Sequence, residues 1–452
     1  MNGMAWLLVL SCLVLVGAPA WAGPDGHDSH RAGHAPHAGE PAAPAGRGLG
    51  LAELTALALA KNPALESGKG EEDAAQGRAL QAGLYPNPHL GYKLEELGTR
   101  GPGSSGAHYL FMEQRLVLGG KLDLAKEAAD REVASLKGQG RAARAAVLAA
   151  LAVSFHQALA AQQVLDLRRA LTELAREGEE VTRQYRNVGQ ADLPDLLAAE
   201  VEVAKAEVEQ GQAQRDLDLA WSRLKAVVGD AALEARPLNG DPDQMPPSPG
   251  AAAELTPRLA SHPALAAAQA RIGKNEALLR LEQARTIPDV TFKVGAGYDL
   301  APRDDNRDEG WKGFFEASLP VPWFDDNRGS QAAALAEKRR AHALRRQVEQ
   351  DLLTGLEQAL AREKALRHKV ERYALEILPK ARQSQAMYLR SHMGMTAAYS
   401  QALVARRNWL MLKVEHAADL GELWGQVAHI QSLQGEAGPT TGPHTGEASH
   451  GH

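Results

Sequence analysis

The feature that most constrains this chain is a run without proline from residue 119 to 185, flanked at a distance by Pro102 and Pro194. Ala, Leu, Glu, Gln, Lys and Arg fill it, the residues that lose least on becoming helical. Leu167, Leu171, Leu174, Gly178, Val181 and Tyr185 are spaced 4-3-4-3-4, the seam of a coiled coil. A helix of that length spans roughly 100 Å. No globule buries such a rod along its whole length, so other long helices must lie beside it. A second run at 327–388 carries Leu366, Val370, Tyr373 and Ile377 at 4-3-4 spacing. The chain reads as a duplicated pair of very long helices.

The ends say where such a chain works. Residues 4–22 are apolar and close on Ala20-Trp21-Ala22, so 1–22 reads as a signal peptide. Cys12, the only cysteine, falls inside it, which leaves a mature chain without a disulfide. No later stretch reads as apolar enough for a membrane helix, so any span must be built from strands. The formal net charge of −6 over 452 residues gives no reason to expect nucleic acid as a partner. Residues 23–50 and 434–452 are Gly-, Pro- and His-rich tails that read as disordered. They hold His27, His30, His34, His37, His444, His450 and His452.

Between the tails, two repeats are expected at 51–230 and 254–433, joined by a Pro-rich linker at 231–253. In the first, Asn62-Pro63 reads as N-cap and first residue of a helix, and Ser261-His262-Pro263-Ala264-Leu265 echoes Lys61-Asn62-Pro63-Ala64-Leu65 in the second. Strand hairpins follow at about 88–118 and 289–322. The long helices occupy 119–186 and 327–390, with return helices at 191–229 and 396–431. Pro379 should kink the second long helix. Val290, Phe292, Val294, Ala296, Tyr298 and Leu300 alternate with more polar or smaller residues, over the length a tilted membrane strand needs. Trp311, Gly313, Phe315, Ala317, Leu319 and Val321 repeat the pattern more loosely, and Glu95-Glu96 interrupts it in the first hairpin. Four strands cannot close a barrel, and lipid tolerates no open edge. Two chains would give eight strands, while three would give twelve, with room for a lumen. The long helices favour three.

The chain resembles the TolC family of outer-membrane efflux channels, and within it the branch serving heavy-metal export of the cobalt-zinc-cadmium type. The residues that carry the resemblance are Asn62-Pro63-Ala64-Leu65, His262-Pro263-Ala264-Leu265, Tyr85-Pro86-Asn87-Pro88 and the strand-to-helix junctions at 114–121 and 319–329. Together with the helix reversals at 185–189 and 388–394, their duplicated order spans about 51–431. The resemblance implies a mainly α fold with a membrane β part. Duplicated long-helix hairpins would form a trimeric α-barrel tunnel, and two β-hairpins per chain would contribute to a twelve-stranded outer-membrane β-barrel. It also implies partners: a periplasmic adaptor at the tunnel tips and an inner-membrane proton-driven pump of the RND type. Tyr185, Asn187, Gly189, Asp192, Asp195, Tyr388, His392, Met393, Gly394 and Tyr399 mark those tips. Family gates use charged residues near the tips. After the second turn this chain shows no aspartate but Tyr399, Gln401, Arg406 and Arg407, and Asp192 and Asp195 after the first can equally cap a helix.

No phosphate loop, His-Glu-x-x-His motif or activated nucleophile is present, so the chain does not read as an enzyme and no cofactor is expected. Imidazoles on the tails could collect divalent metal ions weakly. Met387, Met393 and Met395 would suit a soft ion such as Cu(I), or pack between helices. His156, His342, His368 and His416 stand singly in helices, as surface or packing residues do. Two other readings stay open: the same channel exporting organic toxicants or drugs, and a periplasmic His-rich metal-binding coiled-coil protein.

Overall fold

The computed structural model describes residues 48–95, 106–299, 310–393 and 399–435. The tail histidines, the leader, Gly394 and Met395 lie outside them.

The first repeat opens with α1 (Leu51–Lys61) and α2 (Pro63–Ala82). Asn62 joins them as expected: its side chain accepts the Ala64 N–H at 2.9 Å and donates to the Val227 carbonyl at 2.7 Å. β1 (His89–Glu95) and β2 (Ala107–Leu116) form a hairpin. α3 (Lys121–Asn187) then runs 67 residues without a break, and α4 (Leu193–Val228) returns alongside it. The second repeat follows the same order. α5 (Ala252–Leu255) and a 3-10 turn (Thr256–Ser261) stand where α1 stood. Next come α6 (Pro263–Ala284), β3 (Val290–Asp299) and β4 (Gly310–Ser318). α7 (Arg328–Arg372) leads through a π-turn (Tyr373–Ile377) into α8 (Leu378–Met393), and α9 (Tyr399–Leu433) closes the repeat.

A single joint recurs in both copies. Gly229 follows α4 at φ +79°, and Gly435 follows α9 at φ +72°. A Cβ on Gly229 would stand 2.6 Å from the Lys61 carbonyl and 2.8 Å from Pro63, and one on Gly435 would stand 2.7 Å from Pro263. Each return helix thus ends in a left-handed glycine pressed onto the capped proline that begins α2 or α6 of its own repeat. Only glycine meets both demands.

The repeats are fused, not merely adjacent. β2 pairs with β3, so the strands make one antiparallel sheet in the order β1-β2-β3-β4. α3 lies against α2, α4, α6 and α9. Its seam residues Leu171 and Leu174 are buried against Leu410 and Val414 of α9, so that stretch of the seam joins the two repeats. Higher up, Leu151 and Phe155 pack with Leu54, Trp221, Leu224 and Val228. The second repeat has its own core of Leu255, Leu259, Leu356, Ala359 and Ile430.

Four expectations need correction. α3 does contain a stretch apolar enough, by length and composition, to cross a membrane. Its apolarity serves the packing just described. The second long helix, expected at 327–390 with a kink at Pro379, carries a π-turn immediately before that proline. Proline has no N–H to give the Leu375 carbonyl, and Leu378 N–H reaches back five residues to Tyr373 instead. Glu95 does not interrupt the first hairpin, because it lies two residues from Lys93 on the same, polar face, opposite Ala107; Glu96 lies outside the described residues. Finally, β4 ends at Ser318, so Leu319 and Val321 leave the ladder, where Pro320 and Pro322 could not have donated to it.

The linker is more than a spacer. The Leu49 N–H donates to the Pro237 carbonyl at 3.0 Å and the Asn239 N–H to the Leu49 carbonyl at 2.9 Å. Gln163 donates to Asp243, Trp424 to the Gln244 carbonyl, and Arg367 to the Pro246 and Pro247 carbonyls. It is a strap laid across α3, α9 and α7.

Candidate functional site

The sheet has two chemically opposite faces. One carries Leu90, Tyr92 and Leu94 of β1, Leu110 and Met112 of β2, Val294 and Tyr298 of β3, and Trp311 and Phe315 of β4. All of them are exposed, Leu90 to 83% and Trp311 to 81%. The other face carries Lys93, Glu95, Glu113, Arg115, Lys293, Lys312 and Glu316. There Lys93 pairs with Glu95, and the Lys293 ammonium lies 4.0 Å from the centre of the Phe111 ring. The Lys93 ammonium of β1 reaches 5.6 Å from the Phe314 ring of β4, although flat strands that far apart would be separated by about 14 Å. Tyr109 of β2 meets the same ring edge-on at 5.5 Å. The sheet therefore curls with its polar face inward and its apolar face outward. That is the polarity of a membrane barrel wall with a wet interior. Among the described residues, nothing pairs with the outer edges of β1 and β4.

Asp289 locks the sheet to the helices. It lies between α6 and β3, and its carboxylate accepts from Arg115 Nη2 at 2.5 Å, from Lys121 Nζ at 2.6 Å and from the Leu118 N–H at 3.1 Å. Burial alone would raise its pKa. Lys121, the Leu118 amide and Arg115 outweigh burial and hold it below the ordinary carboxylate value. Beyond the sheet, Trp323 and Phe324 project freely, Phe324 fully exposed.

At the far end of the helices stand the tips. The first turns by Gln190 N–H donating to the Tyr185 carbonyl at 2.8 Å, with Gly189 at φ +76°. Tyr185, Asn187, Gly189, Asp192, Asp195 and Tyr388 are all exposed. Asp192 and Asp195 form a capping box on α4, the Asp192 N–H donating to Asp195 Oδ2 at 3.0 Å. They are occupied with their own helix end. His392 and Met393 lie in the last turn of α8. Met387 does not pack between helices; it is largely exposed.

Tyr399 is the tip residue that reaches another element. Its hydroxyl donates to Glu177 of α3, and Arg406 approaches the same carboxylate at 3.4 Å. The Glu177 hydrogen bond raises the Tyr399 pKa, so the hydroxyl stays a donor. The next residue, Arg407, pairs with Glu202 of α4 at 2.6 Å. α9 is thus tied to both helices of the first hairpin. Glu177 and Glu202 were not singled out from the sequence. The available signal was the seven-residue spacing of Tyr399 and Arg406, which puts both on one face of α9. Among the described residues no His, Cys, Asp and Glu side chains gather to hold a metal ion. His156 stacks on Trp424 at 4.2 Å, and burial lowers its pKa to about 4. His416 is buried too, while His368 is exposed.

An outward-apolar curled sheet on a bundle of rods far longer than a globule defines a class: a membrane-anchored helical conduit. The chain belongs to the outer membrane efflux protein family, whose model matches residues 54–230 and 257–436. It is an outer-membrane efflux channel protein, a family of conduits and not of enzymes. It is 27% identical over 392 residues to the cobalt-zinc-cadmium resistance protein CzcC of Cupriavidus metallidurans, covering 86% of this chain and 90% of that one. The nickel and cobalt resistance protein CnrC of the same organism is 28% identical over 302 residues, 64% of this chain and 68% of the relative. The open state of the Neisseria gonorrhoeae outer membrane channel MtrE superimposes with a TM-score of 0.69 at 16% identity, over 86% of this chain and 89% of that one.

Proposed function

We propose that this chain is the exit duct of a tripartite heavy-metal efflux system and that it works as a homotrimer. The observation that carries the reading is the four-stranded sheet with two unpaired edges. β4 of one copy and β1 of the next run antiparallel, so three copies close a twelve-stranded barrel without leaving an edge in lipid. The α-helices continue that ring as a tunnel into the periplasm. Exposed Leu193, Leu197 and Val201 along α4 offer an apolar stripe for a neighbouring copy.

The tips at Tyr185–Gly189 and Tyr388–Met393 are the surface for a periplasmic adaptor, which links the duct to an RND-type inner-membrane pump. The ties from Tyr399, Arg406 and Arg407 to α3 and α4 hold the second hairpin against the first and so keep the tip narrow. On the polar face basic and acidic side chains alternate, so the barrel passes what the pump delivers and the duct itself uses no energy source. The resemblance to CzcC and CnrC supports divalent metal cations such as cobalt, zinc, cadmium and nickel as cargo. The His-rich tails would gather such ions weakly at the two chain ends.

Growth of a deletion strain on a panel of zinc, cobalt, cadmium, nickel, copper and silver, with antibiotics and detergents alongside, tests the cargo. Sensitivity to divalent metals, restored by the intact gene, is the expected outcome. Sensitivity to organic compounds alone would make this a drug channel.

A further inference from the structure

We propose that His262 is an acid-sensitive joint confined to the second repeat, at the position where the first repeat carries the pH-insensitive Asn62. The two residues do the same work with different chemistry. Asn62 accepts the Ala64 N–H through its side-chain oxygen and donates its amide to the Val227 carbonyl. His262 accepts the Ala264 N–H through Nδ1 at 3.2 Å, and the Ser432 carbonyl lies within hydrogen-bonding reach of the ring. His262 is 7% exposed and Gly435 is pressed against its ring, 3.4 Å from Cδ2 to a would-be Cβ.

An amide keeps its acceptor at every physiological pH. An imidazole keeps it only while neutral, with the proton on Nε2. A second proton would turn Nδ1 into a donor aimed at the Ala264 N–H. It would also set a cation at a helix N-terminus, the end that repels positive charge. Burial lowers the pKa of His262, and the Ser432 carbonyl opposes this in part. The titratable residues nearest along the chain on the surrounding elements are Glu254, Arg258, Arg271, Glu357 and His429, with Glu436 just past Gly435 outside the described residues. None of them is among the causes of the shift. Because the folded-state value is depressed, the cap contributes fully above the ordinary histidine range. Its contribution is lost as pH falls below about 6.5 toward the folded value. Acid would therefore loosen the start of α6 and the Gly435 joint, and leave α2 and Gly229 fast.

Hydrogen exchange by mass spectrometry on the full-length protein in detergent, at pH 7.5 and 5.5 with intrinsic rates corrected, reads both joints in one sample. Residues 263–267 should lose roughly fivefold more protection than 63–67 on acidification, the worth of one N-cap. His262→Asn should abolish the difference, and Asn62→His should bring the same acid response to the first repeat. Equal responses of the two segments in the unaltered protein would overturn the proposal, and so would an undiminished response in His262→Asn. Neither outcome bears on the channel or its cargo, because the joint is read without transport.

Discussion

The two repeats share an order of elements and differ in how they are held. The first has one rod, α3, unbroken for 67 residues and packed on five other helices, α1, α2, α4, α6 and α9. The second covers nearly the same span, Arg328–Met393, in three pieces with a π-turn inside. Around that turn Tyr373 donates to Glu415 at 2.6 Å, which drives its pKa up to about 12, and Lys369 pairs with Asp419 at 2.7 Å. The first hairpin is the fixed spine. The second is an articulated partner pinned to it at chosen points: the sheet base, the stack of His156 on Trp424 between α3 and α9, and the tip. Duplication supplied two copies of one architecture, and local chemistry made one copy stiff and the other adjustable.

The base should break most severely. Asp289→Ala would leave Lys121 without its buried partner and cost about 3–5 kcal/mol, whereas Asn87→Ala, at the exposed equivalent position, should stay within about 0.5 kcal/mol. Thermal unfolding of the purified protein compares them, and similar losses would mean that the repeats are not pinned asymmetrically. The His156–Trp424 stack comes next. With its folded pKa near 4 and an ordinary value near 6.5, His156 is neutral in the native state. Its contribution is present above about pH 6.5 and fades as pH falls toward 4, on the order of 3 kcal/mol in all. Trp424 fluorescence should change over that window, and in His156→Phe it should not.

Smaller effects sharpen the likeness. Gly229→Ala and Gly435→Ala should each cost at least about 1–2 kcal/mol, because both force a side chain into the left-handed region and press its Cβ onto the capped proline. Unequal values in denaturant melts would show that the two joints are not equivalent. At the tip, Tyr399→Phe removes one hydrogen bond to Glu177, worth about 1 kcal/mol. It should raise single-channel conductance, while Asp195→Ala, which only uncaps α4, should not. A rise with Asp195→Ala instead would return the gate to the aspartates.

Much of this architecture was legible because it is written locally. Proline-free runs, the 62–63 and 262–263 caps and the period-two strands depend on neighbours in sequence, and α3, both caps and β3 follow from them. The rest depends on partners far away. Nothing near Glu177 announces that Tyr399, 222 residues on, will donate to it. The Pro-rich composition of the linker concealed a strap, because its contacts run mostly through backbone carbonyls that any sequence possesses. Glu95 looked like an interruption only because the pleat phase of the first hairpin could not be set without β2.

The pairing of β2 with β3 has a genetic consequence. It leaves each copy with one kind of outward seam, β4 to the next β1, used identically all the way round. In the proposed ring of three, a copy unable to make that seam would spoil every ring it joined. A cell expressing normal and seam-defective copies equally would complete only about one ring in eight from normal copies alone. Lesions on the outer edges of β1 and β4 should therefore behave as dominant, and lesions in the helical core that prevent folding altogether as recessive.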